Sequence, residues 1–88
     1  MTENLEGIKA ATKAFIMQEF LSGENPDELA FNTPLLSGGI LDSISTVKLV
    51  GFLEEQYRVD FEAHEISEDH LDTLDSIAAL VEQKIAAK

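Results

Sequence analysis

Residues 38–57 read GGILDSISTVKLVGFLEEQY. Two glycines and a short apolar run give way, at Asp42-Ser43, to a stretch without proline. Within it Thr46, Leu49, Val50, Leu53 and Tyr57 recur at the spacing that puts side chains on one face of an α-helix. The pattern predicts a helix over about 43–57 that ends near Arg58. Ile44, Val47 and Gly51 are also non-polar, and they form a second stripe rotated away from the first. Ser45, Lys48, Glu54 and Glu55 border it. One stripe is enough to dock a helix. A second one either packs beneath the preceding loop or faces a partner, because small apolar patches with a polar rim are the usual form of an interaction site. Gly51 costs about 1 kcal/mol against alanine in mid-helix. Close approach by another backbone would explain it; otherwise it is incidental.

The junction before this helix admits two assignments. Asp42 can be the N-cap, leaving Ser43 at the first helical position with its hydroxyl unused. Alternatively Ser43 is itself the cap, the reading that local sequence alone favours. Gly38 and Gly39 keep the approach slim enough for a large partner, and the amides at a helix start favour an anion such as a phosphate ester.

Outward from this centre, the chain reads as helices. Leu5, Ile8, Thr12, Phe15, Ile16 and Phe20 line one face of a first helix over about 2–21, with Thr2 or Asn4 as its cap, Glu3 and Glu6 near its positive end, and Gly23 as its stop. Residues 22–41 hold both prolines and show no period, so they form a long loop. Leu29, Phe31, Leu35, Leu36, Ile40 and Leu41 are too many apolar groups to leave in water, so the loop is expected to be strapped across the helices by them. After Arg58, Val59, Phe61 and Ile66 are expected to anchor a connection with a short helix near 62–70. A final helix over 74–86 buries Leu74, Ile77, Ala78, Val81 and Ile85, with Thr73 or Asp72 as cap and Asp75 in its first turn. The expectation is an all-α fold: a small bundle of three main helices plus one short one, with a long loop between the first two, as one domain over 1–88.

Composition narrows the function. Seventeen acids against six bases give a formal net charge of −11 over 88 residues, which repels nucleic acid and favours basic partners. With no cysteine, disulfides, thiolate zinc sites and thiol nucleophiles are excluded. The N-terminal sequence lacks the pattern of a signal peptide, and no apolar run reaches the length of a membrane span. Ser43 lacks the G-x-S-x-G elbow of a hydrolytic serine. His64 and His70 lie in an acidic segment, without H-E-x-x-H spacing or a calcium-loop pattern, and read as solvated surface rather than base or metal ligands. Neither catalytic nor metal-binding residues are assigned, and the chain is expected not to be an enzyme by itself.

The run Leu41-Asp42-Ser43-Ile44, opening an acidic helix that continues TVKLVGFLEEQY, closely resembles the phosphopantetheine-binding carrier proteins, among them the acyl, peptidyl and D-alanyl carriers. D-S-[LIM] alone is a weak motif. Joined to G-[IL]-L before it, T-V-x-L-[VL] after it and the chain length, it becomes specific, and the likeness extends over nearly the whole chain. The resemblance implies that a phosphopantetheinyl transferase moves 4′-phosphopantetheine from coenzyme A to Ser43. The thiol of that group would also account for a chain with no cysteine of its own. It further implies an acyl- or aminoacyl-loading ligase and downstream synthase or transferase enzymes as partners, in a fatty acid, polyketide or nonribosomal peptide type of pathway. Asp42, Ile44, Val47, Lys48, Gly51, Glu54 and Glu55 become the expected partner surface. Ser45 and Lys48 stand where fatty-acid carriers usually have acids, which points toward carriers of amino acids or specialised acyl groups. A stand-alone cytoplasmic monomer is expected. The competing reading is an acidic helical adaptor that binds a basic partner without covalent modification.

Overall fold

Asn4 starts the first helix in the structure, a computed structural model that describes residues 4–21, 23 and 29–87. Its extended backbone turns Oδ1 toward the chain ahead, where it accepts the Gly7 amide at 2.7 Å. The α1 helix spans Leu5–Glu19. The other expected cap, Thr2, lies outside the described residues, as does Glu3. The helix stops sooner than Gly23 implied: Phe20 is the C-cap, and its amide still donates to the Ile16 carbonyl.

Helix α2 spans Ser43–Tyr57, and its buried residues are the predicted stripe of Thr46, Leu49, Val50, Leu53 and Tyr57. Arg58 ends it in the left-handed region, at φ 55° and ψ 50°, a conformation uncommon outside glycine. That twist sends the Val59 amide back to the Glu54 carbonyl, and Val59 enters the core. A 3₁₀ turn at Ala63–Glu65 and a short helix α3, Glu68–Leu71, follow. Helix α4 spans Leu74–Ala86, capped by Thr73, whose hydroxyl accepts the Ser76 amide at 3.0 Å while Ser76 answers the Thr73 amide. The described residues form helices, a 3₁₀ turn and loops, and the fold is all-α, like that of the acyl carriers.

The α1 helix packs most broadly on α4, and α2 closes the bundle against both. Ile8 and Ile16, Leu49 and Leu53, Leu71, and Leu74, Ile77 and Val81 are fully shielded where these helices meet. Thr12 is buried among them without an unsatisfied group, because its hydroxyl donates to the Ile8 carbonyl at 2.7 Å. Leu29, Leu35 and Leu41 anchor the loop as expected, with Leu36 and Ile40 half-buried.

Two expected anchors are not anchors. Phe31 stays 37 % exposed, its ring 5.1 Å from the Lys9 ammonium and 5.9 Å from that of Lys13. This edge of the bundle is charged: Lys9 also pairs with Asp75 at 2.8 Å and Glu6 at 3.4 Å, so the part-exposed ring lies against cations rather than in the core. Ile66, between the 3₁₀ segment and α3, is likewise exposed.

Candidate functional site

The site is built where the loop meets α2. Asp42, in extended backbone, is the N-cap of α2: its Oδ1 accepts the Ser45 amide at 2.7 Å. The Thr46 hydroxyl donates to the Asp42 carbonyl at 2.7 Å, locking the first turn from the buried side. Ser43 is therefore at the first helical position rather than at the cap, the assignment that local sequence alone did not favour. It is exposed, and its hydroxyl makes no hydrogen bond to another described residue. The Ser45 amide and hydroxyl hold the Asp42 carboxyl below the usual carboxylate range, so a carboxylate stands beside Ser43 at neutral pH.

A groove of about 470 Å³ opens at this point. Asp42, Ser43, Thr46 and Val47 form its helix side; Leu36 and Leu41 come from the loop, Ile66 from the segment leading into α3 and Glu68 from the start of α3. Of these, Leu41 and Thr46 were read in the sequence only as packing residues, and Leu36, Ile66 and Glu68 were not placed near the serine at all. A spacing rule cannot find them, since they reach Ser43 only through tertiary folding.

The outward stripe of α2 is open. Ile44 is 70 % and Val47 64 % exposed, so neither packs beneath the loop. Gly51 is exposed too, and a Cβ built there would meet nothing within 4 Å. A second hollow of about 540 Å³ lies along this face, lined by Phe15, Lys48, Gly51, Phe52, Glu55 and Gln56. Its floor is the stacked pair Phe15 and Phe52, with ring centroids 4.3 Å apart. Glu54 departs from the expected surface. It is half-buried, and its Oε2 accepts the Phe61 amide at 2.9 Å, so its carboxylate ties down the chain after α2.

The glycines of the loop also have an internal reason. A Cβ on Gly38 would run into the Pro34 carbonyl oxygen, and Gly39 has φ +80°, so the turn itself demands both. Neither histidine lines the Ser43 groove; the rings of His64 and His70 face each other edge-on at 6.5 Å. Among the described residues no group of three or more potential ligands could hold a metal ion, and no helix is long and apolar enough to cross a membrane.

An acidic helical bundle that exposes one unengaged serine hydroxyl at the mouth of a helix, beside a groove and an uncovered apolar stripe, has the form of a carrier. No family model matches the chain. It is 37 % identical over 68 residues to the probable acyl carrier protein PigG of Serratia sp. (strain ATCC 39006), covering 77 % of each chain. It also matches a chain of the solved structure described as "Crystal structure of FAD-dependent dehydrogenase", with a TM-score of 0.72 and 43 % identity, over 80 % of this chain and 97 % of that one. The chain belongs to the acyl carrier protein family, and its role is that of a carrier protein.

Proposed function

We propose that this chain is a stand-alone, single-domain carrier, monomeric and cytoplasmic, whose Ser43 bears 4′-phosphopantetheine and shuttles an acyl or aminoacyl group between biosynthetic enzymes. The observation that carries this reading is the Ser43 hydroxyl, exposed and without a hydrogen bond to another described residue, Asp42 having taken the capping role. The residues fit the group: a primary hydroxyl suited to a phosphodiester, and next to it an open groove of about 470 Å³ with apolar and polar walls. When bound, the group supplies a terminal thiol that holds cargo as a thioester. Attachment joins Ser43 Oγ to phosphorus while the nucleotide part of coenzyme A departs. Neither histidine lines the groove, so a phosphopantetheinyl transferase is assigned the hydroxyl proton.

Asp42, Ile44, Val47, Lys48, Gly51 and Glu55 form the proposed contact surface for that transferase, for a loading ligase and for downstream enzymes. Basic partners suit the net charge of −11, while Lys48 selects against partners that expect a carboxylate there. A flavin-dependent dehydrogenase joins the proposed downstream enzymes on the strength of the structural match. Bleaching of its flavin by loaded carrier, but not by Ser43→Ala, supports this; no bleaching removes it.

Intact mass after incubation with coenzyme A and a broad-specificity transferase tests the central point. The wild type is expected to gain one phosphopantetheine and Ser43→Ala none. No gain in the wild type returns the chain to the adaptor reading; a gain that survives Ser43→Ala moves the attachment elsewhere.

A further inference from the structure

The Ser43 groove has a wall made of helix and a wall made of loop. Backbone hydrogen bonds hold the first. The loop wall, with Leu36 and Leu41, is tied to one residue distant in sequence. Asp72, just before the cap of α4, accepts the Leu36 and Ser37 amides on Oδ1 at 2.8 and 2.9 Å, and the Ser37 hydroxyl on Oδ2 at 2.8 Å. Its backbone carbonyl accepts the Leu35 amide. Three consecutive loop residues are thereby tied to one.

From this corner the loop doubles back. The Gly39 amide donates to the Leu36 carbonyl at 3.1 Å, and the Leu41 amide to the Leu35 carbonyl at 2.9 Å. Leu41, the residue before the Asp42 cap, is in this way linked to Asp72 through Leu35. The same bonds keep the Asp72 carboxyl ionised, since the Ser37 amide and hydroxyl, ahead of the Leu36 amide, pull it below the usual carboxylate range. Asp72 was an alternative cap for α4 in the sequence; Thr73 and Ser76 cap each other, which frees the carboxylate for the loop.

We propose that Asp72 is a positioning residue for the modification of Ser43: by clamping the Leu36–Ser37 corner it holds the loop wall where an enzyme must dock to reach the hydroxyl. This rests on the attachment proposed for Ser43. Asp72 forms no hydrogen bond to Ser43, whose orientation comes from the Asp42 cap. Loss of the clamp therefore loosens the docking surface without moving the hydroxyl on α2. A docking partner must then order the loop itself, and that cost falls on binding.

The test uses the whole chain with coenzyme A and a broad-specificity transferase. Asp72→Ala is expected to raise the KM for the carrier about tenfold and leave kcat within about twofold, a split that marks lost docking rather than lost chemistry. Asp72→Asn keeps a carbonyl oxygen for the two amides and turns an NH₂ toward the Ser37 oxygen, so its KM is expected to stay within about twofold of the wild type. Amide exchange on the unmodified proteins gives the second readout. Leu36, Ser37 and Leu41 are expected to lose protection in Asp72→Ala while Leu49 and Leu53 keep theirs.

Lost protection at the corner with an unchanged KM overturns the proposal, as does an Asn variant as impaired as Ala. Exchange that rises equally throughout α2 reduces Asp72 to a stabilising residue. Should Asp72→Ala fail to fold, Ser37→Ala decides: a KM raised about threefold while Asp72→Asn is normal supports the clamp, and equal values overturn it. If the wild type accepts no phosphopantetheine, it is the reading of Ser43 that fails. The exchange pattern still reports separately whether Asp72 holds the loop.

Discussion

Leu53 and Ile44 occupy the same helix and are nearly the same chemically, yet Leu53 is 0 % exposed and Ile44 70 %. Around α2, burial follows angle and not hydrophobicity. The face toward α1 and α4 carries Thr46, Leu49, Val50, Leu53 and Tyr57 and is used up in holding the bundle together. The opposite face carries Ile44, Val47 and Gly51 and contributes no comparable packing. An apolar side chain left in water forgoes burial worth roughly 1.5–3 kcal/mol. Two such side chains beside Ser43 are what the proposed surface for transient partners would require.

Substitutions along the two faces test this contrast. The largest effect is expected from Leu53→Ala, which removes a fully buried side chain and should cost roughly 2–5 kcal/mol in urea or thermal unfolding. A loss as small as that of a surface change would mean that the inward stripe does not carry the bundle. Next comes Gly51→Ala. A Cβ there meets nothing within 4 Å, so the helix should gain up to about 1 kcal/mol. If close backbone approach by partners is the reason for the glycine, this stabilised variant should also transfer cargo more slowly; unimpaired transfer would make Gly51 incidental. The smallest change in stability is expected for Ile44→Ala, within about 0.5 kcal/mol, together with a raised KM for partner enzymes. Calorimetry that found Ile44→Ala as damaging as Leu53→Ala would erase the distinction between the faces.

How much could be read beforehand differed by region for physical reasons. The bounds of α2 and α4 and the inward stripe were legible because helical period and capping are local properties. The end of α1 was not. Gly23 is the obvious stop in the sequence, but the helix yields at Phe20, whose ring packs edge-on against Phe15 at 5.8 Å. The end of α2 was read near Arg58 and lies there, although Arg58 rather than a glycine takes the left-handed turn. In the long loop apolar character alone could not separate Leu29, Leu35 and Leu41, which enter the core, from Phe31, which stays among lysines. Glu54 looked like surface until Phe61 folded back onto its carboxylate.

The candidate site divides in the same way. Asp42 and Ser43 were visible at once as a junction, yet which of the two capped the helix was open. Both residue types cap well, and the choice falls to Asp42 through its bond to the Ser45 amide. Asp72 could not have been found from neighbours in sequence, because its partners Leu36 and Ser37 lie in another part of the chain.

By itself the sequence determined the helices, the stripe that packs them, the strongly acidic character and the position of one serine at a helix start. All of these depend on interactions within a few residues or on composition. Tertiary folding alone left Ile44 and Val47 uncovered, brought Leu36, Ile66 and Glu68 into one groove with that serine, and tied Leu36 and Ser37 to Asp72. Those outcomes depend on which distant groups meet once the apolar faces close on each other, and no local pattern encodes that.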